Sequence, residues 1–100
     1  MAFRHLFHQS SVTEIPPQEA QRRQREGAVI VDVREPDEWN EGHILGALHI
    51  PLGSLSMRLS ELDASQEIIM VCHSGLRSMR AAQLLQRSGF AQVKNLTGGM

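Results

Sequence analysis

Short aliphatic runs punctuate the chain, and between them apolar residues return at helical spacing. Ala28-Val29-Ile30-Val31 is continuous and rich in β-branched residues, the pattern of a strand buried on both faces. Ala47 to Ile50 predicts a second strand, ended by Pro51. Glu67 to Val71 predicts a third, buried and central, and Val93 to Leu96 a last one. Val12 to Ile15 predicts a short edge strand, stopped by Pro16-Pro17.

The helical segments alternate with these strands. Residues 17–26 open on proline and stop before Gly27, but offer only Ala20 to a core. Their arginines, Arg22, Arg23 and Arg25, read as a solvated face rather than a binding patch. Leu52, Leu55, Leu59 and Leu62 fall on one helical face. Ser78 to Ser88 predicts a helix with Ala81, Ala82, Leu84 and Leu85 inward and Gly89 as its stop. Such alternation with short connections predicts an α/β domain with a mostly parallel sheet flanked by helices. Residues 1–11 read as an N-terminal arm, in which Phe3, Leu6 and Phe7 either form a small apolar face or stay loose.

Composition narrows the function classes. One hundred residues make one domain, with ordinary hydrophobic (41%) and charged (21%) content. A net charge of −1 gives no reason to expect nucleic acid or an anionic membrane as partner. No apolar run reaches the length of a membrane span, and the N-terminus lacks the apolar stretch of a signal peptide. A single cysteine forms no intramolecular disulfide, which fits a reducing compartment, and a cytoplasmic protein is expected.

That cysteine carries the candidate chemistry. Cys72 ends the third predicted strand and begins the stretch Cys72-His73-Ser74-Gly75-Leu76-Arg77-Ser78. In parallel sheets ligands bind beyond the carboxyl ends of strands. A loop containing Gly75 can turn its amides inward, the following helix presents free N–H groups, and Arg77 adds a positive charge. These effects favour the thiolate, the nucleophilic form of cysteine. The opposing reading makes Cys72 a small buried hydrophobe.

Two motifs resemble the rhodanese (sulfurtransferase) family. One is Val31 to Pro51, "VDVREPDEWNEGHILGALHIP", with Asp32 and Arg34, then Trp39, then Gly42-His43-Ile44 and Gly46-Ala47. The other is Ile68 to Ser78, "IIMVCHSGLRS", supported by Gly89-Phe90 and by "NLTGGM", Asn95 to Met100. The resemblance covers most of residues 12–100. It implies a three-layer domain with a five-stranded, mostly parallel sheet, Cys72 as catalytic residue, and His73, Ser74, Gly75, Leu76, Arg77 and Ser78 around the substrate. The implied reaction takes a sulfane sulfur from thiosulfate or a persulfide onto Cys72 and passes it to cyanide or a thiol, a protein thiol included. No metal or organic cofactor is implied, and the cysteine–histidine spacing is not that of a zinc site.

The remaining candidates read as structural. Asp32 and Arg34 are expected near the active face, with Arg34 pairing locally with Glu38. Trp39 and His43, four residues apart, are expected to face inward on one turn, His43 as a hydrogen-bonded anchor. His73 either borders donor and acceptor or faces solvent. Two other function classes stand beside the sulfurtransferase: a non-catalytic rhodanese-like module, and a cysteine-dependent phosphatase or arsenate reductase. The loop from Cys72 to Arg77 has six residues, one fewer than the related phosphatases hold, and Ser78 occupies the extra place. In the family the segment after Gly98-Gly99 continues, often with a tryptophan and a terminal helix. The resemblance therefore implies an abbreviated or trimmed domain with apolar surface left uncovered.

Overall fold

The computed structural model describes residues 12–97, so the expected N-terminal arm and Gly98-Gly99-Met100 lie outside the described residues. Five strands form one sheet in the order β1-β5-β4-β2-β3, and every pairing is parallel. The strands are β1 (Thr13–Ile15), β2 (Val29–Asp32), β3 (Leu48–His49), β4 (Ile68–Val71) and β5 (Val93–Leu96). β4 is the middle strand, and all four of its residues are fully buried, as its unbroken apolar run requires. β1 is the edge strand the sequence predicts, and Pro17 begins α1 (Pro17–Arg25) immediately beyond it.

The two-residue period of a strand divides the core. Ile68, Met70 and Cys72 face one side with Val31 and Val33, where they meet Ala81, Ala82 and Leu85 of α4 (Leu76–Arg87) and Leu55 of α3 (Leu52–Leu55). Ile69, Val71, Ile30 and Leu96 face the other side, against Ala20 of α1. Helices thus cover both faces, giving the three layers. On the α1 side a cleft of about 490 Å³ is lined by Ala20, Ile30, Ile44, Leu45 and Leu96 among others, away from Cys72. α1 buries only Ala20, and two of its three arginines are tied by ion pairs, Arg22 to Glu19 and Glu26, and Arg23 to Glu19 and Glu67.

Two elements differ from their sequence pattern. The leucine stripe from Leu52 to Leu62 is no continuous helix. It is α3 followed by a single 3₁₀ turn at Leu59–Glu61, with Leu55 fully buried and Leu52, Leu59 and Leu62 packed at the margin of the same core. Gly53, Ser54 and Ser56 are weak helix formers, so the leucines are buried without helical continuity. The helix expected from Ser78 begins at Leu76, directly after Gly75, whose φ of +91° no side-chain-bearing residue adopts readily. Gly89, at φ +96°, ends that helix as predicted.

Candidate active site

Strand parity sets where the thiol points. Cys72 follows β4 on the same face as Met70, beneath the start of α4. Gly75 then reverses the chain, and its N–H donates to Cys72 Sγ at 3.0 Å. Ser78, fully buried in the first turn of α4, brings its hydroxyl and its amide to the same sulfur. Burial alone pushes the Cys72 thiol up. The hydrogen bonds from Ser78, Gly75 and Ser74 outweigh it, and the thiol is held below its usual range. Cys72 itself has 0% exposed surface.

The loop residues divide by exposure. His73, Ser74 and Leu76 are exposed, Leu76 at 73%, and Leu76 N–H reaches Ser74 Oγ at 3.4 Å. Arg77 is the second residue of α4 rather than the last of the loop. Both of its terminal nitrogens meet Glu38, at 2.7 and 2.8 Å, and this pairing raises the Arg77 pKa. The same pair, with the Glu35 amide, holds the Glu38 carboxyl down at about 2.

Glu38 is therefore not the partner of Arg34, as the local spacing suggests. Arg34 is bound to Asp32 by Nε and Nη2, and also donates to Gly42 O at 2.6 Å. Asp32 is 1% exposed and Arg34 6%, so each neutralises a charge that burial would otherwise penalise. Glu38 is instead drawn 39 positions along the chain. It also closes a capping box with Glu35 at the start of α2 (Pro36–Glu41), which aims its carboxylate.

Trp39 and His43 do not share a helical turn, because α2 ends at Glu41 and His43 follows Gly42, and neither side chain is buried. Their rings stack at 3.5 Å and 1°, with His43 exposed and its Nδ1 at 2.9 Å from Trp39 O. His49 lies parallel to the same indole at 4.7 Å, and its Nε2 is 2.8 Å from Arg34 O. At the surface His43 thus stacks on Trp39 and hydrogen-bonds to its carbonyl. His49 and Asn95 are two further residues of the arrangement. Asn95 Nδ2 donates to Gly75 O at 3.3 Å, and its one signal in the sequence is an amide within β5. Among the described residues no cluster of three or more His, Cys, Asp or Glu side chains is arranged to hold a metal. No helix among them is long and apolar enough to cross a membrane.

The chain is similar to known proteins along most of its length. The profile of the Rhodanese-like domain matches residues 16–100. The putative sulfur carrier protein YrkF of Bacillus subtilis is 46% identical over 71% of this chain, which spans 38% of that protein's length. The thiosulfate sulfurtransferase GlpE of Stutzerimonas stutzeri is 39% identical over 85% of this chain and 78% of its own. Among solved structures, the reduced CoADR-RHD of Bacillus anthracis superposes with a TM-score of 0.83 at 38% identity, over 88% of this chain and 16% of that one. With the sheet, the loop and these relatives in agreement, the chain belongs to the family of rhodanese-like domains.

Proposed function

We propose that the protein is a sulfurtransferase that carries sulfur as a persulfide on Cys72. The observation that supports this most is the Cys72 sulfur at the carboxyl end of the central strand, met by the Gly75 amide and the Ser78 hydroxyl and held below its usual pKa. The thiolate attacks the outer sulfur of thiosulfate. The sulfur–sulfur bond breaks, sulfite leaves with the electron pair, and Cys72 keeps the sulfane sulfur as a persulfide anion. A thiol or cyanide then takes that sulfur and returns the thiolate, a covalent two-step cycle. The amides around Sγ serve the persulfide anion as oxyanion-hole donors serve an intermediate. The similarity to the enzyme named GlpE supports the donor class, and the acceptor is a small or protein thiol.

Access imposes a condition. Because Cys72 has no exposed surface, the donor reaches Sγ by displacing part of residues 73–76, of which His73, Ser74 and Leu76 are exposed. Arg77 still has three N–H groups beyond the two given to Glu38, enough to meet an anionic donor at the loop rim. A phosphatase is disfavoured by the six-residue loop and by Arg77 being committed to Glu38 rather than to the loop interior. A second reading, a non-catalytic module, draws on one observation, the complete burial of Cys72 within the core. Thiocyanate formation from thiosulfate and cyanide separates the two. It is expected in the unmutated protein and abolished in Cys72→Ser. Equal rates in both proteins refute the assignment.

A further inference from the structure

Asn95 is a buried amide where the sheet calls for a hydrocarbon. It is 1% exposed, between Val93 and Leu96, which are 4% and 3% exposed. It pairs in register with Met70, and by strand parity it faces the α4 side, the side of Cys72. Its Oδ1 has no hydrogen-bond partner among the described residues. An amide left half satisfied in a core costs stability, so its placement calls for an explanation other than packing.

Gly75 O supplies one. Three donors converge on it: Met79 N–H at 3.1 Å, Ser78 Oγ at 3.2 Å and Asn95 Nδ2 at 3.3 Å. A carbonyl oxygen has two lone pairs, so one donor is in surplus. The Met79 amide is fixed by the helix. The Ser78 hydroxyl has a single proton and a second acceptor within reach, the Cys72 sulfur. We propose that Asn95 is a positioning residue for Cys72: by filling the Gly75 carbonyl it releases the Ser78 hydroxyl to donate to the sulfur. The proposal rests on Cys72 as the reactive thiol of the preceding section. Asn95 touches no reacting atom and acts through Ser78. The Asn95 Oδ1 left without a partner among the described residues is the cost of presenting Nδ2 to Gly75 O.

The test is the pH midpoint of Cys72 alkylation by iodoacetamide, read by mass on the full chain. Asn95→Leu raises the midpoint by about 0.5–1 pH unit, a loss of roughly three- to tenfold in thiolate at neutral pH. Ser78→Ala raises it similarly. The double variant has the midpoint of Ser78→Ala alone, because Asn95 has nothing left to act through. Asn95→Val carries the same comparison if the leucine variant does not fold. An unmoved midpoint in Ser78→Ala overturns the proposal without any change at Asn95. So does an unmoved midpoint in a folded Asn95 variant, or full additivity in the double variant. Sulfur transfer is assayed separately. Its absence from the unmutated protein, with the midpoints as stated, overturns the sulfurtransferase reading and leaves the Asn95 relationship standing.

Discussion

Arg77 and Glu38, 39 positions apart in the chain, meet through two parallel hydrogen bonds of 2.7 and 2.8 Å. The pair fastens the helix after β2 to the start of the helix after β4, beside Cys72. Its members are each about 30% exposed (31% and 28%), so it is a partly screened clamp whose geometry matters more than its raw Coulomb energy.

Arg77→Ala therefore removes both the clamp and the donor's cation. Thiosulfate turnover is expected to fall by about ten- to a hundredfold, the effect of one charge-assisted hydrogen bond of about 1.5–3 kcal/mol. Arg77→Lys recovers part of this, because an ammonium lacks the planar fork. Steady-state kinetics check it, and full activity in Arg77→Ala would show that the arginine serves the fold alone.

Glu38→Gln approaches the clamp from the other side. It frees the Arg77 guanidinium while keeping a neutral side chain of the same shape. The expected result is a lower KM for thiosulfate with kcat no higher than in the unmutated protein. A rise in KM would mean that Glu38 positions Arg77 for the donor rather than competing with it.

The same carboxylate sets an acid limit. Glu38 is held down at about 2 from its ordinary value of 4.5 by Arg77 and by the Glu35 amide. Between these values the unfolded chain binds more protons than the folded one, so stability rises with pH. The contribution is complete above about pH 4.5 and is lost as pH falls toward about 2. Thermal melts across this window are expected to show a steeper acid loss in the unmutated protein than in Glu38→Gln. Parallel curves would remove Glu38 from the acid response.

Asp32 and Arg34 answer to burial instead. Arg34→Met leaves the Asp32 carboxylate buried without its partner, an expected loss of about 3–5 kcal/mol by denaturant titration. A change below about 1 kcal/mol would mean that the pair is open to water in solution.

Much of this was legible from the pattern of residues. The aliphatic runs located β2 and β4 to within a residue, because a strand covered on both faces admits little else. The motif around Cys72 marked the candidate site, and the structure has the strand, glycine turn and helix in that order around the thiol. What stayed hidden depended on contacts between distant segments. Glu38 lies one turn from Arg34, and local spacing assigned it there, whereas the fold gives Arg34 to Asp32 and Glu38 to Arg77. The leucines from Leu52 to Leu62 have helical spacing, but glycine and serine between them let the chain bury the same side chains as turns. The complete burial of Cys72 is a tertiary fact, set by how the loop folds back over the sulfur.

The central claim, a persulfide on Cys72, is tested most directly by intact mass after incubation with thiosulfate and removal of the excess. The unmutated protein is expected to gain one sulfur atom, located at Cys72 by fragmentation and released by cyanide, and Cys72→Ser is expected to gain none. An unchanged mass in the unmutated protein, or the same gain in Cys72→Ser, would contradict it.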